Sequence, residues 1–165
     1  YVLQESPWES RDKNALTTEV TPTQAMEILD RRIETLAAEL STTNAVDRAY
    51  YFLEGVHEKG GSVKLSSLNL IICACSLQGD EVRAMETAEA IENFQLKPDA
   101  STFKYLMLHS GPLQMRANTI TPLLNLMDEM NVERTPPVTH LAMQHLVWLD
   151  FIDHAMELAV DSIQK

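Results

Sequence analysis

The stretch that most restricts how this 165-residue chain can fold is LSSLNLIICACSLQGDEVRAMETAEAIENFQLKPD, Leu65 to Asp99. It carries two apolar stripes of helical period, a Gly-Asp break between them and a Lys-Pro-Asp ending. That pattern describes two antiparallel helices joined by a tight turn. A lone hairpin of this kind cannot bury its apolar faces, so neighbouring hairpins must cover them.

The same grammar recurs at a fixed spacing. Ala49 and Ala84 are 35 residues apart, as are Val56 and Ile91, and Leu65 through Asp99 is itself 35 residues long. His140 to Ala155 and Asn69 to Ala84 both span 15. The small residue at 49, 84 and 155 is expected where the two helices of a hairpin cross closely. Starts and stops agree with this layout. Thr21-Pro22-Thr23-Gln24 reads as a capping box with Pro at the first helical position. It opens a stripe of Ala25, Ile28, Leu29, Ile33, Leu36, Ala37 and Leu40. Asn44 is expected to cap a second helix (Val46, Ala49, Tyr50, Leu53, Val56) that stops at Lys59-Gly60-Gly61. Ser66 is expected to cap a third, with Leu70, Ile71, Ala74 and Leu77 on one side. Asp80 caps a fourth, with Val82, Met85, Ala88, Ile91 and Phe94. Thr102 to Ser110 is a shorter fifth helix, residues 111–118 read as a loop or distorted turn, and Thr121-Pro122 reads as the start of a sixth. Val138–Leu149 and Phe151–Ile163 form the last pair.

Eight helices in four pairs, with no strand pairs or βαβ units in competition, predict an all-α chain. Its expected form is an α-solenoid of antiparallel helical hairpins over residues 21–165, in units of about 30–64, 65–99, 100–135 and 136–165. Residues 1–20 read as an irregular leader, in which Trp8 and Tyr1-Val2-Leu3 form an arm able to dock.

The formal net charge of −11 opposes non-specific attachment to a phosphate backbone. The two cysteines, Cys73 and Cys75, point about 200° apart on a helix, so they neither bridge nor share a metal; two buried, inert thiols are expected. No apolar run is long enough for a membrane span. No signal or transit segment is visible, and in a chain that starts at Tyr1 this does not argue for a cytosolic home. Phosphate-binding Gly loops, paired-Cys zinc spacings and nucleophile elbows are missing. Asp150, Asp153 and His154 look like a metal or acid–base group on paper, but an exposed His near a helix start is the commoner case. No enzyme activity, cofactor, metal or small-molecule substrate is expected.

The residues inside the unit resemble a pentatricopeptide repeat. Asn69 early in the first helix, Gly79 between helices, Ala84 in the second, and Pro98-Asp99 followed by Ser101-Thr102-Phe103 match that family's pattern. The resemblance is strongest over 65–107, fair over 30–64 and 136–165, and weakest in the longer unit between. It implies an organellar protein, mitochondrial or alternatively chloroplast, that binds single-stranded RNA in a groove lined by first helices. It also implies that a repeat's fifth and last residues read a base: here Asn69 with Asp99, supported by Ser66. Glu34, Lys104 and His140 occupy the reader place of the other units, with Lys64 closing the first. A carboxylate there repels phosphate, Lys104 suits a phosphate, and His140 suits stacking or a cap. Asn69 and Asp99 also fit a plainer role, as a polar residue near a helix start and a turn or cap residue. Two functions follow: RNA binding in the expression of organellar transcripts, or a protein-binding scaffold among the subunits of an organellar ribonucleoprotein such as the mitochondrial ribosome.

Overall fold

Thr21 accepts a hydrogen bond from the Gln24 amide while the Gln24 side chain accepts from the Thr21 amide, and Pro22 fills the first helical position. This capping box opens α1 (Pro22–Glu39) as the sequence predicts. The computed structural model describes residues 21–40, 43–108, 113–149 and 151–163. After α1 come α2 (Thr43–Glu58), α3 (Leu65–Leu77), α4 (Glu81–Glu89), a 3-10 turn (Ala90–Phe94), α5 (Ala100–Met107), α6 (Leu113–Glu129), α7 (Pro136–Trp148) and α8 (Ile152–Ile163). The described residues are all-α, with no strand among them.

The packing order is regular. Odd-numbered helices follow one another, α1 on α3, α3 on α5 and α5 on α7. Each even helix from α4 onward packs on its own odd helix, and α2, α4 and α6 also touch the odd helix that follows. Helix α3 sits at the centre and is buried almost all round: Leu68, Ile71, Ile72, Cys73, Ala74 and Cys75 lose nearly all contact with water. Ile91, Phe103, Met107, Ile120, Met127, Val138 and Ala142 continue the core toward the C-terminus.

Several local expectations are corrected. Helix α1 buries Ile33 and Ala37, while Ile28, Leu29 and Leu36 are exposed, because the face turned to α3 also carries Asp30 and Glu34. Asn44 lies inside the first turn of α2 rather than capping it. Ser66 does not cap α3: Lys64 holds that position in extended backbone, and its carbonyl accepts from the Ser67 amide at 3.0 Å. Val82 is exposed because α4 turns Ala84 and Thr87 inward. Helix α5 starts two residues earlier than expected, since Asp99 rather than a later residue caps it. Residues 113–118 belong to α6, which runs through Thr121-Pro122 instead of starting there. Pro122 itself is exposed. Ala84 and Ala155 are buried as expected at close crossings; Ala49 is only half-buried. The Gly60 turn does form: its φ is +78°, and Gly61 donates back to the Val56 carbonyl at 2.8 Å. The leader with Trp8, and Ser110 and Asp150, lie outside the described residues.

Candidate functional site

Three of the expected reader residues, Asn69, Asp99 and Lys104, sit on or near the face where α1, α3 and α5 meet. Asp99 is the N-cap of α5, and its Oδ1 accepts from the Thr102 amide at 2.9 Å. Thr102 closes the box by accepting from the Asp99 amide at 3.1 Å. Asn69 reaches this cap from α3. Its Nδ2 donates to Asp99 Oδ1 at 3.2 Å, and its Oδ1 accepts from the Thr102 hydroxyl at 2.8 Å. Asn69 is only 2% exposed. Its carbonyl and one amide hydrogen are therefore spent on helix α5, and no base edge can reach them from solvent.

One turn further along α5, Lys104 Nζ lies 2.7 Å from Glu34 Oε1 and 3.2 Å from Asp30 Oδ2. The Lys104 side chain is 16% exposed. Asp30 also accepts from the Tyr105 hydroxyl at 2.8 Å and the Ser101 hydroxyl at 3.0 Å. Helix α1 thus closes over the face that α3 and α5 would otherwise present. Burial works against the Lys104 charge, but the Glu34 and Asp30 carboxylates outweigh it and hold its pKa above the ordinary lysine value. Burial, with Asp30 as hydrogen-bond acceptor, raises the Tyr105 phenol. Burial and the Glu34 charge push the Cys73 thiol up to about 12, and Cys75 rises to about 11 by burial and Asp80. Both thiols are free and buried, the inert state the sequence predicts.

The other two candidates lie apart. Ser66 is half-buried on the wall of an open, mostly apolar groove between α1 and α3, beside Leu29, Leu36 and Leu70. His140 is exposed on α7, in a cleft shared with Asp128, Glu133 and Asp161. Its one cation, Arg134, is engaged by Asp128. A phosphate would meet like charge there.

So the structure turns Asn69 and Asp99 toward each other and Lys104 toward Glu34 and Asp30, and it leaves Ser66 and His140 outside both groups. Sequence reasoning missed Asp30, Thr102 as a partner of Asn69, and Tyr105. One signal was present: Asp30 and Glu34 are four apart, on the side of α1 that carries Ile33 and Ala37. Among the described residues no group of three or more His, Cys, Asp or Glu could hold a metal. No described helix is long and apolar enough to cross a membrane. No protein-family model matches the chain, and neither does any curated protein.

Proposed function

We propose that this chain is an α-solenoid scaffold of the pentatricopeptide kind that binds protein rather than reading RNA bases, as a component of an organellar ribonucleoprotein. The observation that carries this reading is the pairing of reader places with each other. Glu34 holds Lys104 at 2.7 Å, and Asn69 holds Asp99 at 3.2 Å. A base would have to break a part-buried ion pair and a buried amide bond to be read, at a cost of several kcal/mol, on the order of 3 for the ion pair alone. One base–protein contact does not return that. The succession α1–α3–α5–α7 supports a repeat array, and the net charge of −11 fits protein partners better than a phosphate chain. No catalytic step is assigned to the chain.

Affinity purification of the full-length protein from mitochondria, with and without RNase, tests this. Mass spectrometry is expected to find a partner set that survives RNase, and cross-linked RNA sequencing to find no discrete footprint. Partners that vanish with RNase, leaving a discrete RNA footprint, would establish the RNA-reading alternative instead.

A further inference from the structure

We propose that the cleft between α4, α5 and the C-terminal half of α6 docks an apolar anchor side chain from a basic amphipathic helix of a partner protein. The inference rests on the scaffold reading above and names its partner surface. Met85 and Ala88 of α4, Phe103 and Leu106 of α5, Leu126 of α6 and Met130 just after it line a cleft of about 270 Å³. That is below the roughly 300–1,000 Å³ of small-molecule sites and suits one or two bulky side chains. Leu126 and Met130 remain 36% and 37% exposed, so the mouth is open.

Charge decides what can enter. Glu89 and Glu92 stand on the rim, both exposed. Three residues apart across the junction of α4 and the 3-10 turn, they lie on one side. Neither makes an ion pair with another described residue. Residues 80–99 hold six carboxylates against two cations. One of the cations, Arg83, is already engaged by Asp47 at 2.9 Å and Asp80 at 3.4 Å; the other, Lys97, adjoins Pro98 at the edge of the cleft. An occupant must therefore bring apolar surface together with positive charge. Nucleic-acid phosphate and acidic peptides are repelled. An amphipathic helix with a Leu or Phe anchor flanked by Lys or Arg meets both demands, with the anchor desolvated and the cations on the rim.

The test uses the chain with ¹³C-methyl-labelled methionines and two synthetic helical peptides, one of Leu and Lys, the other of Leu and Glu. The Leu/Lys peptide is expected to shift the Met85 and Met130 methyl resonances saturably. Glu89→Lys with Glu92→Lys is expected to weaken that peptide by about tenfold or more and to admit the Leu/Glu peptide. Unchanged resonances of the buried Met107 and Met127 show that the variant is folded. Equal response to both peptides, no saturable shift, shifts centred on Met156 instead, or undiminished binding by the double variant would each overturn the proposal. In the organelle, the double variant is expected to lose a subset of RNase-resistant partners. If the wild type keeps such partners and the double variant keeps them all, the cleft is wrong and the scaffold stands. If the wild type keeps none, the scaffold reading falls and the cleft's partner with it.

Discussion

On the face shared by α1, α3 and α5, polar side chains pair with one another in two groups: Asn69, Asp99 and Thr102 form one, and Asp30, Glu34, Ser101, Lys104 and Tyr105 the other. On α7 and α8 several large side chains face outward. His140 is exposed, Trp148 is 71% exposed, and Ile152, Met156, Val160 and Ile163 make an uncovered stripe along α8. Both regions are built from helices of the same kind with comparable periodicity. The difference is the number of neighbours: α3 is packed by four helices, whereas α8 rests chiefly on α7. A helix enclosed on all sides must satisfy its polar groups internally, and a helix at the margin leaves them to water or to another surface.

Alkaline pH should break this contrast most strongly. Cys73, Cys75, Tyr105 and Lys104 all hold their protons to higher pH in the folded chain than in the unfolded one. Stability is therefore complete below the unfolded values, and it is lost as pH rises from about 9 through about 12. Helix α8, with no Cys, Tyr or Lys, contributes nothing to that loss. Denaturant unfolding at stepped pH checks this, and a midpoint that stays flat from pH 8 to 11 would contradict it.

Asp30→Ala comes next. It strands the Tyr105 hydroxyl and leaves Lys104 with Glu34 alone. The expected loss is about 3 kcal/mol in urea unfolding; a loss under about 1 would mean that α1 is not held by this cluster. Leu at the two buried alanines sharpens the same comparison. Ala84→Leu overpacks a site walled in by α3 and should cost about 2–3 kcal/mol, whereas Ala155→Leu should cost about 1, because α8 is free to shift. Equal costs would remove the enclosure argument.

Asn69→Ala should lower stability by about 1.5 kcal/mol and leave retention of single-stranded RNA unchanged. The reverse pattern, stable protein with lost RNA affinity, is what a base reader would give. The smallest effects belong to the outer face: His140→Ala and Met156→Glu should each change stability by less than about 0.5 kcal/mol.

Local chemistry was legible in the sequence. The Thr21–Gln24 box, the Gly60 and Gly79 turns and the Asp80 cap depend on neighbours within a few positions, and all of them form. Pro122 shows the limit of that reading. Thr-Pro starts α1 but lies inside α6, because propensity is a weak prior that packing overrides. The site was legible only as a set of candidates. Asp30 and Glu34 were visible on one side of α1, but Lys104 and Tyr105 lie 70 or more residues away, and nothing in either segment names the other. The sequence by itself determined the helices, most of their limits and the pairing of α3 with α4, α5 with α6 and α7 with α8, because these follow from periodicity and caps. Only the tertiary structure decided that α1 lies against α5 and turns the reader places toward each other, because ion pairs and buried amides are settled by which surfaces meet in space.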